Sequence, residues 1–339
     1  MSNVLMRWDD VLKLRSGEKV VPKFVDLHPS YSCNCNCEGC AYAGRLDGSS
    51  MSMTKLIEAI DILCAAGTQA FDFAGGGEPT VMPRLDTILR HVTVKNAAYG
   101  LITNGISMTD DLKSALLDGG TYVRFSLEAS NQESFEKYKK VSHHMMSKIF
   151  RNISELVIEK RRGKSKLEIS LKFSVGKSLR GRKHYENAIR LALDLGVDRC
   201  DIKALRHDPE ELSVKERIDE HGTLLDVLRG INPIIPVNVW IVPFPEKAIP
   251  QCWLNPLHTV VDYKGDVYLC CYYYYRPEKH WIGNLFDHDR PFKKFWMGPE
   301  HMEKIKGIDK AECSKVDCKF FRHHLDVGKA LTNGAAYFL

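Results

Sequence analysis

The sequence predicts an α/β fold built on parallel strands. Three observations carry that expectation: six β-rich runs alternate with helical patterns from Phe24 onward, the alternation breaks at a Pro-rich stretch near Gly230, and 339 residues exceed one ordinary core. Parallel neighbours need right-handed crossovers, so the strands form an open sheet or part of a barrel, with sites at their carboxyl ends.

The first run, FVDLHPS, leads into a cysteine-dense loop. TKLIEAIDILCAAG places Leu56, Ile57, Ile60 and Leu63 on one helical face and stops at Gly67. QAFDFA is the second strand and runs into Gly75, Gly76 and Gly77; the helix RLDTILRHV, the strand AYGLIT and a turn at Asn104-Gly105 follow. DDLKSALLDGG is helical, YVRFSLEA is the fourth strand, and NQESFEKYKK and MMSKIFRNISELVIEKR are helical again. KLEISLKFSV alternates as the fifth strand, HYENAIRLALDLG is a helix, DRCDIKAL is the sixth strand, and VKERIDEHGTLLDVLRG closes the series. Beyond the break, INPIIPVNVWIVPFPEKAIPQC holds one strand-like run, HTVVDYKGDVYLCC reads as a hairpin turning at Lys264-Gly265, and PEHMEKIKGI is a short helix. The expected organisation is an extension over 1–23, a main domain over 24–230, and a smaller domain with a tail over 231–339.

Composition narrows the function classes. No apolar run reaches membrane-spanning length and the N-terminus is too charged for a signal peptide, so a cytoplasmic protein without a membrane partner is expected. A net charge of +5 is spread along the chain, with short clusters such as EKRRGKSK that suit a solvated helix end, and no basic stripe points to nucleic acid. The four tyrosines at 272–275 read as alternating strand residues packed in a sheet, not as a stacking platform for bases. Eleven cysteines stand out, nine of them in two groups: 33, 35, 37 and 40, then 252, 270, 271, 313 and 318. In a reducing compartment such groups are more often metal or cluster ligands than disulfides. Cys64 and Cys200 lie in apolar patterns and are expected to be structural thiols.

The stretch SYSCNCNCEGCAYAG puts four thiols into eight residues. A tetrahedral zinc site draws its ligands from two separated pairs, and here it would force Cys33 and Cys35 to ligate side by side. The alternative is Cys33-x3-Cys37-x2-Cys40, three thiolates on three irons of a 4Fe-4S cube with the fourth iron open and Cys35 standing by. This loop, following the first strand, resembles the signature of the radical S-adenosylmethionine (radical SAM) enzymes. GGGEP (Gly75, Gly76, Gly77, Glu78, Pro79) is similar to the family's segment for the methionine amino group, where glycines let the backbone approach a polar ligand. TNG, with Asn104 at its centre, and SLEAS, with Ser126 and Glu128 on one strand face, resemble the segments that hold the cofactor's carboxylate and ribose. For Glu128 the competing reading is a solvent-facing strand end; Ser174, ending the fifth strand, is a further cofactor candidate. The residue before the third cysteine is often aromatic in the family; here it is Gly39, which shifts the expected adenine contact to Tyr42.

The later cysteines extend the resemblance. Cys252, Gly265 and Cys270 match the opening of the SPASM/twitch pattern, and Cys313-x4-Cys318 follows after GNL and Trp296. Too few cysteines remain for the full SPASM set. The resemblance therefore implies a twitch-type auxiliary 4Fe-4S cluster held by Cys252, Cys270, Cys313 and Cys318, although a zinc ribbon also uses four cysteines in two pairs. Successive strand side chains face opposite ways, so Cys271 should not share that centre with Cys270. It is either core or a catalytic thiol that gives a hydrogen atom to a product radical.

Together the resemblance implies a partial (β/α)6 TIM-like barrel with a small C-terminal α+β cluster-binding domain. Its cofactors would be S-adenosylmethionine, the cluster that binds it and an auxiliary 4Fe-4S cluster, with a flavodoxin- or ferredoxin-type reductant as partner. Reductive cleavage would give a 5'-deoxyadenosyl radical that takes a substrate hydrogen, followed by oxidation or epimerisation. Only about thirty residues precede the cysteine loop, too few for a leader-recognition domain, which favours a sugar- or aminocyclitol-like small molecule over a peptide. Lys172, Lys203 and Arg206 are candidates to hold an anionic substrate, against a plain reading as surface charges. The non-enzyme alternative is an iron-sulfur electron carrier, which would need no GGGEP segment.

Overall fold

The structure is a computed structural model that describes residues 7–142, 144–205, 212–241, 252, 254–309, 313, 318, 320, 323–325 and 327–328. Its strands are β1 (Phe24–His28), β2 (Ala70–Phe73), β3 (Ala98–Thr103), β4 (Tyr122–Glu128), β5 (Glu168–Val175), β6 (Arg199–Ala204), β7 (Val237–Trp240), β8 (His258–Asp262), β9 (Asp266–Tyr268) and β10 (Trp281–Asn284). The helices are α1 (Trp8–Arg15), α2 (Met53–Ala66), α3 (Leu85–Val94), α4 (Asp110–Gly119), α5 (Gln132–Lys139), α6 (His144–Gly163), α7 (Arg182–Leu195), α8 (Val214–Ile231), α9 (Pro277–His280), α10 (Phe292–Phe295) and α11 (Pro299–Lys306). The chain divides into two compact units, one formed by the described parts of His28–Ile57 and Phe71–Pro243, the other by those of Met1–Leu27, Glu58–Ala70 and Phe244–Leu339.

In the first unit the strands run in the order β2-β3-β4-β5-β6-β7, and the pairs from β3 to β7 are all parallel. This is the expected α/β class. Helices alternate with the strands because their apolar residues repeat every three to four positions: α3 buries Leu85, Ile88, Leu89 and Val92. Polar caps set the starts, with Thr109 accepting from the Leu112 amide, Asn131 from that of Ser134, and a capping box between Ser213 and Glu216. Phe125, Leu127, Leu171 and Phe173 are fully buried in the central strands. The strand-like run VNVW, beyond the break at Gly230, is β7, a seventh parallel strand that pairs with β6 from Cys200↔Val237 to Lys203↔Trp240. Cys200 is buried as a structural thiol should be, and burial raises its pKa; Cys64 is half-buried.

In the second unit β8 and β9 form the expected antiparallel hairpin, β10 adds to β9, and the order continues through β8 to β1. Gly265 turns the hairpin at φ 84°, where a side chain would also strike the Phe286 ring. The N-terminal segment belongs to this unit: Val11 and Val20 cluster with Leu257 and Val327, and the Trp296 indole N–H donates to the Val20 carbonyl at 2.9 Å. The tyrosine run departs from expectation. Tyr273–Tyr275 form a 3-10 turn, not a strand, with the Tyr273 ring stacked on Tyr268 at 4.1 Å. Cys270 and Cys271 likewise lie past the end of β9, in a bend, so strand alternation does not separate them. No helix among the described residues is long and apolar enough to cross a membrane.

Asp262 ties the hairpin by accepting from the Lys264 and Asp266 amides at 2.9 and 3.0 Å. Burial, with Asp266 close by, pushes its carboxyl up to about 6. A carboxyl raised in the folded state binds its proton more tightly there than in the unfolded chain, so stability falls as pH rises from about 4 through that value. Asp262→Asn keeps an acceptor oxygen for the turn and removes the dependence. Urea midpoints measured across that range should favour the variant above pH 6 and converge at the acid end.

Candidate functional site

Five places in the first unit follow the ends of successive strands. The cysteine loop follows β1, residues 75–78 follow β2, Thr103 to Gly105 end β3, Ser126 to Ser130 end β4, and Ser174 lies at the end of β5. Sequence alone placed each at a strand end; the parallel order makes these ends adjacent.

The glycine run packs against the stem of the cysteine loop. The Gly77 amide donates to the Ser30 carbonyl at 2.6 Å and the Glu78 amide to that of Ser32 at 2.8 Å. A Cβ on Gly75 would lie 2.5 Å from the His28 ring, on Gly76 2.6 Å from Tyr31, and on Gly77 2.0 Å from the Ser32 carbonyl oxygen. Two of the amides thus serve the protein itself, and the glycines are required by contact with the loop.

Glu78 is buried and acts inward. One carboxylate oxygen accepts from the Thr80 amide (3.1 Å), the Thr80 hydroxyl (2.7 Å) and the Thr103 hydroxyl (2.6 Å), and the other from the Asn104 amide (2.7 Å). Pro79 opens the short 3-10 turn that Glu78 caps. The Asn104 side chain continues the chain of contacts, donating to Asn34 at 2.6 Å and to the Cys35 sulfur at 3.4 Å.

Within the loop Cys33, Cys37 and Cys40 are half-buried and Cys35 is buried. Cys35 bridges its neighbours: its hydrogen bonds lower the pKa of Cys33 and bring Cys37 down to about 7, and its own thiol is raised in return. Burial raises Cys40, with Cys37 and Cys33 near enough to add charge repulsion. The loop also rests on α5. The Asn36 amide donates to the Lys139 carbonyl (3.1 Å) and that of Glu38 to Tyr138 (2.8 Å). A Cβ on Gly39 would stand 2.8 Å from the Tyr138 hydroxyl, so Tyr138 fills the space an aromatic residue at 39 would need. Tyr42 packs edge-on against His28 and Tyr31, with ring centroids 5.7 and 6.1 Å away.

Glu128 is not a solvent-facing strand end. It is buried at φ 71°, where the β4–β5 register shifts, and its carboxylate accepts from Lys172 and Ser174. A left-handed non-glycine residue costs about 1–2 kcal/mol, a strain that collects at functional sites. Burial would raise its pKa, but Lys172 and Lys139 outweigh that and hold it below the usual carboxylate range. The Lys172 ammonium also reaches the Ser174 hydroxyl at 2.8 Å, so it is not a surface charge. Ser126 pairs with Lys172 across the strands, and its carbonyl accepts from the buried Lys139 ammonium at 2.6 Å. Burial opposes the charge on Lys139, yet Cys37, Glu128, Cys35 and Glu78 hold its pKa above the ordinary lysine range. Behind this group, His184 donates through Nε2–H to the Ser174 carbonyl and accepts at Nδ1 from the Ser130 hydroxyl, both at 2.9 Å; burial lowers its pKa and keeps it neutral. Lys203 sits 4.2 Å over the Trp240 ring and 3.9 Å from Asp201. Arg206 lies outside the described residues.

The second cysteine group surrounds a cavity of about 150 Å³ in the other unit, lined by Cys252, Cys270, Cys313 and Cys318 together with His258 and His280. Cys271 does not line it, although its charge acts on Cys270 and Cys318. Burial pushes Cys252 up to about 11, Cys318 up to about 12, and Cys270 well up. Thiols kept protonated by burial are a donor set that a cationic centre deprotonates on binding. Among the described residues no three His, Cys, Asp or Glu side chains converge on a point suited to a single metal ion. The donor set and the room inside it fit a cluster.

A family model described as the radical SAM superfamily matches residues 27–202, more than half of the chain. The chain belongs to the radical SAM superfamily. A second model, SPASM, described as an iron-sulfur cluster-binding domain, matches residues 252–319. S-adenosylmethionine and a 4Fe-4S cluster are therefore the cofactors of this radical SAM protein, and the SPASM segment adds auxiliary iron-sulfur binding. The S-adenosylmethionine-dependent nucleotide dehydratase of Flammeovirga pacifica is 28% identical over 106 residues, covering 29% of this chain and 36% of the relative. The match thus spans about a third of that relative's length. Among solved structures, SuiB of Streptococcus suis bound to precursor peptide SuiA superposes with a TM-score of 0.69 at 12% identity, over 93% of this chain and 75% of that one. The anSMEcpe structure with bound AdoMet gives 0.66 at 19% identity, over 89% of this chain and 87% of that one. At these identities the likeness shows the shared fold.

Lys139, Tyr138 and His184 escaped sequence reasoning. Lys139 lies in NQESFEKYKK, which reads only as a helix, and His184 opens a helix whose pattern announces only packing. The Glu78 contacts yield a direct test. Glu78→Gln removes the charge from an acceptor of four donors and should cost about 1–3 kcal/mol. Urea unfolding should show that loss, and iron retained by the Cys33–Cys40 loop after desalting should fall with it.

Proposed function

We propose that this chain is a radical SAM enzyme of the oxidoreductase or epimerase type acting on a small polar molecule, such as a sugar or aminocyclitol derivative. The observation that carries the reading is the three-thiol loop, Cys33, Cys37 and Cys40, docked through Gly77 and Glu78. When bound, the loop's cluster supplies the electron that cleaves S-adenosylmethionine to methionine and a 5'-deoxyadenosyl radical, which takes a substrate hydrogen.

The chain's own groups position and shield. Glu128, kept ionised by Lys172 and Lys139, offers acceptor oxygens to ribose hydroxyls, with Ser126 and Ser174 alongside. Asn104 and the carbonyls of Gly75 and Gly76 serve the methionine end, and Tyr42 the adenine. Cys252, Cys270, Cys313 and Cys318 hold the auxiliary cluster, and a flavodoxin- or ferredoxin-type carrier supplies electrons. Cys271, outside the cavity, is the hydrogen donor if the outcome is epimerisation. The named relatives favour different substrates, a nucleotide in one case and a precursor peptide in the other, so peptide modification is the second reading.

Reconstituted protein should bind about eight iron and eight sulfide per chain, where one cube plus zinc would give about four. With dithionite it should release 5'-deoxyadenosine, and Cys37→Ala should abolish that release. A panel of sugars, aminocyclitols, nucleotides and peptides, each carrying deuterium at carbon, separates the substrate classes by label recovered in 5'-deoxyadenosine. Label from peptides alone would overturn the small-molecule assignment. With the active substrate, Cys271→Ala should end solvent-hydrogen incorporation into product; unchanged incorporation removes that role.

A further inference from the structure

The turn that replaces the expected tyrosine strand carries polar groups back onto the second cysteine centre. The Tyr273 amide donates to the Cys270 carbonyl at 3.1 Å, Pro277 starts α9, and the Leu269 amide closes the loop on the His280 carbonyl at 2.9 Å. His280 is buried by this closure. Its Nδ1 lies 3.6 Å from the Cys270 sulfur, and the Arg276 guanidinium Nη2 donates to the Cys313 sulfur at 3.7 Å. One segment of five residues thus reaches two of the four cavity cysteines from different sides.

We infer that Arg276 and His280 are positioning residues that raise the reduction potential of the auxiliary cluster. The inference rests on the reading of Cys252, Cys270, Cys313 and Cys318 as that cluster's ligands. Hydrogen bonds to ligand sulfur stabilise the more electron-rich state of an iron-sulfur centre, and a low-dielectric setting strengthens them. Arginine cannot give up its charge, so Arg276 favours reduction at every working pH.

The test is a redox titration of the auxiliary cluster by electron paramagnetic resonance, in the full chain with Cys33, Cys37 and Cys40 replaced by Ala to silence the other cluster. His280→Leu removes the donor, and His280→Asn returns an N–H at the place of Nδ1. Arg276→Met removes the charge, and Arg276→Lys retains it. The apolar variants should each make reduction at least tenfold less favourable, about 59 mV for a one-electron couple, with the asparagine and lysine variants recovering part of the shift. Equal potentials in all five proteins at full iron content would overturn the inference. Where an apolar variant does not assemble the cluster, the unsubstituted 276–280 segment decides: the reduced cluster should show hyperfine coupling to an exchangeable proton and to histidine nitrogen-15, and absence of both overturns it equally. Failure of the silenced parent chain to bind about four iron would instead count against the ligand assignment.

Discussion

Four donors converge on one buried carboxylate, and the first cysteine loop depends on that convergence. Glu78 gathers the Thr80 turn and the end of β3 through hydrogen bonds of 2.6–3.1 Å, while its own amide holds Ser32 just before Cys33. Charge-assisted bonds of this kind are about twice as strong as neutral ones. The three glycines before it have no room for a side chain, so loop and carboxylate meet at one spacing only. Asn104 passes the constraint on to Asn34 and Cys35. Cys35, expected to stand by, is thereby the thiol through which the loop feels the rest of the sheet.

The electrostatics of the same region balance as a group. Lys139, Glu78 and Glu128 are buried and Lys172 is half-buried beside the thiols of the first cysteine loop. An isolated buried charge would shift its pKa and neutralise. Here Lys139 offsets Cys37 and Glu128 at once, and Lys172 pairs with Glu128, so the charges at these strand ends hold one another in place.

What could be read from the sequence was local. The cysteine spacing, the GGGEP segment and the alternation of strands and helices are written in contiguous residues, and the parallel order of β3 to β6 follows from them. What could not be read depends on distant contacts. Lys139 belongs to a charged helix end, yet it is buried, with Asn36 and Glu38 docked on the backbone of 138–139 and its ammonium on the Ser126 carbonyl. The tyrosines at 272–275 have strand-forming chemistry, but the stacking on Tyr268, the proline at 277 and the Leu269–His280 closure turn them into a tight bend. For Glu128 a strand end open to water stood beside the cofactor reading, because nothing nearby in sequence announces Lys172, forty-four residues on. The strand β7 lay beyond prolines that marked a plausible boundary, and pairing with β6 draws it into the first unit.

The second unit is discontinuous, and this has a consequence for biosynthesis. Val11 and Val20 find their apolar partners in Leu257 and Val327, hundreds of residues later. The parallel unit, whose strands mostly pair with near neighbours in sequence, can condense while the chain is still emerging from the ribosome. The early segment must wait for the late one, and the cavity that gathers four cysteines closes only afterwards. The two cysteine groups are therefore gathered at different moments as the chain is made.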